Sequence, residues 1–472
     1  MDSQAVPSTS QQQQTTQDTE SRIQPATTSI EDLSKKFTTM LLNDPDSGKR
    51  HSIEGLAYAT IRPTVKEGVA KQPELLKTLV KVLGDAPAKS PLTYGALSIF
   101  WNLTRYRPVQ SEEEKKMNQL KAYANAAGKL PSPDPVDDDE HVTERCKQVF
   151  AAGLVPVLVT HSRHGSTASL SIIVSILFSL SVTTSIRGQL AQQGAVNLLI
   201  AAWSALPDTD ANANSDARAQ TTKRMAAQAL ARILISTNPT LVFGGTRARP
   251  QTAAIRPLAS ILSPDINAET RDLLPTFEAL MALTNLASTD DDTRKTIIRT
   301  ALPQIEELLL SSNNHVSKAA TELICNLVQS VEGIALYAEN TPQAANRIHI
   351  LLALADAEGE GTRSAAGGAL ASLTNYEEVA KGILKRERGV EVLLGMCKEE
   401  KEELRHRGVF TVYNLLSYEG ELGESVKKAV KENNGLEVLK ECVKMSRSNE
   451  VVELAVLALK IVVGEGGEGG EK

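Results

Sequence analysis

The sequence predicts an all-α protein, a right-handed superhelical solenoid of stacked helical repeats, and three observations carry that expectation. Helical spacing of apolar residues runs almost unbroken from about residue 30 to residue 463, broken only by short stretches of Pro, Gly, Asn and Asp, with no alternating strand pattern. Aromatic residues make up 4% of the chain and apolar residues 41%. The core must therefore be built from Ala, Leu, Val and Ile, which suits stacked helices better than β-sandwiches. Finally, one helix ending recurs along the chain, and a recurring unit of this length signals a repeat architecture.

Taken in order, residues 1–29 are a Ser/Thr/Gln tract that includes Gln11–Gln14 and has almost nothing to bury, so they are expected to be disordered. Residues 30–463 carry the repeats. The shared ending is an apolar run, then Asn, then usually a small or apolar pair. It occurs at 99–104 (IFWNLT), 280–287 (LMALTNLA), 323–328 (LICNLV), 371–376 (ASLTNY) and 409–417 (VFTVYNLLS). The asparagines are Asn102, Asn285, Asn326, Asn375 and Asn414, the last four separated by 41, 49 and 39 residues. Two variants without Asn, ILFSLSV at 176–182 and ALARILIS at 229–236, fill the long gap. Repeats of roughly 40 residues built from two or three helices are the armadillo/HEAT signature. A three-helix unit reads directly near the C-terminal end, with helices over 378–386, 389–398 and 400–417. The tail 464–472 (GEGGEGGEK) is expected to be disordered, like the N-terminal tract.

In such stacks the third helices line the concave surface, and each repeat hides its apolar face only against its neighbours. An Asn on that line has a mechanical use, because its amide both donates to and accepts from an extended partner backbone whatever the partner's side chains. The same residue has a second reading, as a cap or a bridge to the neighbouring repeat's backbone. Both readings stand at this point.

Composition and motifs exclude several classes. The net charge is −6 with a pI near 5.8 and no long Lys/Arg block, so nucleic acid is not expected as a main partner. Cys146, Cys325, Cys397 and Cys442 lie far apart without a CxxC pair and read as reduced, buried small hydrophobes of a cytoplasmic protein. No P-loop, GxSxG or HExxH is present, so no enzyme, cofactor or metal is expected. His161 and His164 share a helix face without a third ligand and read as a solvated helix end. Between Arg163 and Arg187 no formally charged residue occurs, but Ser169, Ser171, Ser175, Ser179, Ser181, Thr183 and Thr184 interrupt the run. Leu170, Ile173, Leu177 and Leu180 fall at helical steps there, which predicts a buried solenoid helix rather than a membrane span. The Pro-bearing stretch 125–140 (NAAGKLPSPDPVDDDE) reads as a flexible inserted loop, ending in the solvated acidic run 137–140. It acts either as a lid over the groove or as a tolerated surface insertion.

Residues 51–69 (HSIEGLAYATIRPTVKEGV), 94–105 (YGALSIFWNLTR), 277–288 (FEALMALTNLAS), 319–328 (AATELICNLV) and 405–416 (RHRGVFTVYNLL) resemble the blocks of UCS domains, in that family's order, across nearly all of 30–463. The resemblance implies a cytoplasmic myosin co-chaperone that binds the heavy chain's motor domain, assists its folding and protects it from aggregation. It implies a client groove on the third helices of the C-terminal repeats, at Asn285, Asn326, Tyr413 and Asn414. Phe410 and Leu416 would shelter apolar client side chains there, with Asn375 and Asn102 on the same ladder. Animal members begin with a TPR module that recruits general heat-shock chaperones. No 34-residue TPR pattern is present here, so that partner is expected without TPR docking, as in the fungal-type arrangement. The alternatives are an importin-type armadillo adaptor, which would place Trp beside Asn in repeat after repeat where only Trp101 and Trp203 exist, and a general scaffold.

Overall fold

The computed structural model describes residues 29–43, 48–107, 116–117, 135–207, 215–245, 249–264 and 272–464. The expectations for residues 1–28, 125–134 and 465–472 lie outside these. Among the described residues every regular element is a helix.

Nine helices form one continuous row. They are α1 (Lys49–Ala59), α2 (Pro91–Thr104), α3 (Thr167–Leu180), α4 (Ser215–Ile235), α5 (Leu274–Ala287), α6 (Asn314–Leu327), α7 (Glu360–Leu373), α8 (Glu402–Leu416) and α9 (Asn449–Val463). Each packs on the next, α1 against α2 and so on to α8 against α9. This is the one-dimensional connectivity of an armadillo-like solenoid. Between consecutive row helices the chain makes a short helix and then a second-row helix, as in Glu377–Leu384 and Gly389–Met396 before α8. The unit read from sequence near the C-terminal end thus holds, with its boundaries moved inward by about two residues.

Local sequence explains where helices start. Pro occupies the first turn of the helices Pro63–Ala70, Pro73–Asp85, Pro239–Phe243 and Pro342–Ala355 and of α2, where its missing N–H costs nothing. Ser90, Ser166, Asn313 and Thr341 each accept a backbone N–H from the first turn of the helix they cap. In three of the turns between first and second helices one residue enters the left-handed region. Gly153 (φ 84°) and Gly194 (φ 90°) do this without strain, and Asn434 (φ 59°) does it as the best non-glycine substitute. One repeat departs from the pattern. Asp291–Leu309 is a single helix that fuses first and second helices and carries Pro303 in its interior.

The core is aliphatic, as the composition requires. Phe100, Phe150 and Tyr337 are the aromatic residues in the buried set, among more than a hundred Ala, Leu, Val and Ile-type positions. Cys146, Cys397 and Cys442 are buried and Cys325 is half-buried, and none is bonded to another. Burial pushes the Cys146 thiol up to about 12. No single helix among the described residues is long and apolar enough to cross a membrane. The apolar run beginning at α3 breaks by 109° before Thr184–Gln192, and nine side chains of α3 are buried by neighbours.

Two sequence expectations need correction. His161 is buried, and its Nε2 donates to Leu83 O at 2.7 Å across a repeat boundary. It is neither a solvated helix end nor near a metal-ligand cluster, none of which occurs among the described residues. In the run 137–140, Asp138, Asp139 and Glu140 are exposed as expected, but Asp137 is not. Asp137 is buried, accepting from Arg145 Nη2 at 2.6 Å and from Lys66 Nζ at 3.1 Å. Asp138 caps the helix Asp139–Ala151 through His141 N. Arg145, 1% exposed, also donates to Leu103 O and Val136 O. This cluster pins the C-terminal side of the inserted stretch to the first two repeats. Desolvation, only partly offset by Asp137, holds the Lys66 ammonium below its usual range.

Candidate functional site

The row helices turn one continuous face outward, and the asparagines mark its seams. Asn102 Nδ2 donates to Ala57 O and Thr60 Oγ1, both at 3.1 Å. Asn285 Nδ2 donates to Leu234 O at 2.7 Å and Thr237 O at 2.8 Å. Asn326 Nδ2 reaches Thr284 O at 2.9 Å, and Asn414 Nδ2 reaches Ala371 O at 3.1 Å and Thr374 Oγ1 at 3.3 Å. In each case the partner is the last turn, or the residue just past it, of the preceding row helix. Those carbonyls have no acceptor role inside their own helix. The bridge to a neighbouring repeat's backbone, one of the two readings of these residues, is therefore present at four seams. The Oδ1 atoms have no hydrogen-bond partner among the described residues.

Asn375 does not belong to the set. It lies beyond the end of α7, is exposed, and makes only a 3.5 Å contact to Ser372 O in its own chain turn. Ser372 instead faces the seam, where its Oγ accepts from Gln329 Nε2 at 2.9 Å.

The apolar candidates divide in the same way. Phe410 and Tyr413 on α8 are half-buried, Phe410 lying 6.2 Å from the His406 ring. Leu416 is 1% exposed and belongs to the core, so it is unavailable to a client. Sequence reasoning overlooked Leu274 and Phe277 on α5 and His315 on α6. With Leu273 and Val316 they line a largely apolar cavity of about 570 Å³ between the first turns of those helices. Phe277 and His315 meet edge to face with centroids 6.1 Å apart. The FEALM block that contains Phe277 was the available signal.

Other groups hold the seams as well, beside the asparagines. Arg232 on α4 grips Glu278 on α5 through Nε at 2.9 and 3.1 Å, and Gln228 donates to the same carboxylate at 2.7 Å. The Arg232 guanidinium also stacks over the Phe178 ring of α3 at 4.7 Å. Toward the C-terminal end, Arg363 and Arg405 occupy the fourth position of α7 and α8. Each donates to two carbonyls of the turn that leads from the second-row helix into its own helix. Arg363 also pairs with Glu399 of the next repeat at 2.6 and 3.1 Å. Of the two tryptophans, Trp101 sits on α2 and Trp203 in the second-row helix Ala195–Ala205, so no repeated Trp–Asn array lines the face.

No family model matches the chain. It is similar to ring assembly protein 3 of Schizosaccharomyces pombe, 30% identical over 398 residues that make up 82% of this chain and 50% of that protein. It is also similar to the solved UNC-45 of Drosophila melanogaster, 26% identical with a TM-score of 0.74, over 93% of this chain and 52% of the other. A further solved UNC-45, a chaperone described by its binding and folding of muscle myosin, has the same fold at 23% identity, with a TM-score of 0.73 over 92% of this chain and 44% of its own. The chain spans half or less of the length of the curated relatives it matches.

Proposed function

We propose that this chain, a homologue of the UNC-45 and fungal UCS proteins, is a non-enzymatic, cytoplasmic myosin co-chaperone. Its solenoid binds the motor domain of the myosin heavy chain along the face of the row helices, assists folding and prevents aggregation. The observation that carries this reading is the likeness to ring assembly protein 3 and UNC-45 across nearly the whole described solenoid.

The proposed grip lies on α5 to α8. Asn285, Asn326 and Asn414 each offer an amide oxygen to client N–H groups; both amide hydrogens of Asn285 and Asn414, and one of Asn326, are committed to the seams. The cavity at Leu274 and Phe277 takes a client apolar side chain, with Phe410 and Tyr413 further along. Asn102 continues the line toward the N-terminal end. Affinity is moderate, because ordering a client segment offsets much of the contact energy, and the client can leave.

The test is thermal aggregation of a purified myosin motor fragment. Light scattering should fall at near-stoichiometric ratios of this protein. No suppression, with the helical circular-dichroism signal intact, would sink the idea. Pull-down from lysate reads the partners: myosin heavy chain together with general heat-shock chaperones supports this function, whereas basic nuclear cargo would indicate a transport adaptor.

A further inference from the structure

The client face changes character at α3. Asn102, Asn285 and Asn414 each stand three residues before the residue that caps their helix, Arg105, Ser288 and Ser417. On α3 the cap is Ser181, so the same position is held by Phe178, an aromatic ring in place of an amide. The Arg232 guanidinium of α4 lies over that ring at 4.7 Å. A second arginine closes the seam. Arg187 Nε donates to Ser181 O at 2.7 Å and its Nη1 to Ser236 Oγ at 3.2 Å, while Ser236 Oγ donates to Arg232 O at 3.5 Å.

Two guanidinium groups here share one carboxylate. Glu278 takes the Nε of Arg232, and Arg187 bonds only to carbonyl and hydroxyl oxygens. No Asp or Glu occurs over 145–207 or 217–264. Asp216, the nearest in sequence of the acids between, stands 16 residues before Arg232, about 24 Å along α4. Past α5, Asp290 caps the helix that follows and Asp291 pairs with Arg294. Burial holds the Arg187 guanidinium below its usual range, with Glu278 opposing the shift and Arg232 adding to it. Arg232 Nη1 is buried and, like Nη2, donates to no described residue. A buried cationic N–H without an acceptor is costly, and a bound anion supplies one.

We propose that the seam between α3 and α4 binds a carboxylate of the client, held by Arg187 and the outer edge of Arg232 above Phe178. The site presupposes that the client lies along the row helices, and it adds a charged determinant between Asn102 and Asn285. Guanidinium groups suit a planar carboxylate, which accepts two parallel N–H bonds. Arg232, its side chain 9% exposed, offers only its edge, whereas Arg187 is half-buried and more accessible. An Asp or Glu side chain and a chain-terminal carboxylate present the same chemistry to this pair.

The experiment is fluorescence anisotropy on the full chain with three short fluorescein-labelled peptides of otherwise identical sequence. The first has an internal glutamate and an amidated end, the second glutamine there and a free terminal carboxylate, the third glutamine and an amidated end. The first or the second should bind about tenfold more tightly than the third, the usual effect of a charge-assisted hydrogen bond, and the one that does names the source of the carboxylate. Arg187→Gln should weaken that binding about tenfold. Because Arg187 also bonds Ser181 O, Glu278→Gln serves as the second variant. It keeps an acceptor for Arg232 and removes the competing charge, so it should tighten binding, which lost stability cannot do. Equal binding of the three peptides, or none, would overturn the proposal, as would a carboxylate peptide whose affinity neither variant moves. Suppression of motor-domain aggregation alongside equal peptide binding would overturn this site and leave the chaperone function standing.

Discussion

Asn102, Asn285 and Asn414 commit both amide hydrogens before any client arrives, and Asn326 commits one. Asn414 Nδ2 holds Ala371 O and Thr374 Oγ1, so its side chain can accept from a partner but not donate to one. Two such bonds contribute about 1 kcal/mol each. Asn414→Ala should therefore lower unfolding stability by about 1–2 kcal/mol, read as a shift of the urea midpoint at constant m-value. Asn375→Ala should stay within about 0.5 kcal/mol of wild type, as exposed substitutions away from structural bonds usually do. Equal losses in both variants would restore Asn375 to the ladder. The residue types were legible in the sequence, but their hydrogen-bond partners were not. Each asparagine reaches a backbone carbonyl 42 to 51 residues earlier, and a carbonyl leaves no mark on residue identity. The place of Asn375 outside the seams had left a trace, since spacings of 41, 49 and 39 place it late in its repeat, past the helix that the other four sit within.

Helices are held at their distances by what a glycine omits. A Cβ on Gly408 of α8 would lie 2.7 Å from the Met396 carbonyl carbon and 2.8 Å from Cys397 N. Those are backbone atoms at the end of Gly389–Met396 and cannot swing aside. Gly408→Ala should force α8 away from that helix and cost about 1–3 kcal/mol. Gly68, in the helix Pro63–Ala70, has nothing within 4 Å of the position its Cβ would take. Gly68→Ala should raise stability by about 0.5–1 kcal/mol through helix propensity alone. Thermal midpoints moving in opposite directions would confirm the pair, and a stabilised Gly408→Ala would refute the close-packing account. Helix identity was readable here from apolar spacing, and the three-helix unit near the C-terminal end lies within about two residues of its reading. The fused helix Asp291–Leu309 was not readable. Pro303 ordinarily predicts a break, because it lacks the N–H that bonds one turn back, and the helix that carries it packs against α5, α6 and the helices Ile255–Ala259 and Val331–Ala338.

A stack in which each repeat touches only its neighbours is as cooperative as its weakest seam. The seam between α4 and α5 has its asparagine bridge, Asn285, and a buried ion pair besides. The Arg232–Glu278 pair is 9% and 12% exposed, with Gln228 and the Phe178 ring in support. A buried pair contributes little net stability while intact, yet removing one partner strands the other charge at a cost of about 3–5 kcal/mol. Arg232→Ala should therefore weaken one seam in mid-molecule rather than the whole array evenly. The two tryptophans make this measurable, because Trp101 and Trp203 both lie on the N-terminal side of that seam. Guanidinium unfolding followed by tryptophan fluorescence reports that side alone, whereas far-ultraviolet circular dichroism reports every helix. In the wild type the two curves should lie close together, and in Arg232→Ala their midpoints should separate as the two sides lose their coupling. If the curves of the variant superimpose while the overall midpoint falls, the seam carries stability but not cooperativity. Coupling between the halves would then have to run through the aliphatic contacts of α4 and α5, such as Leu230 and Leu283.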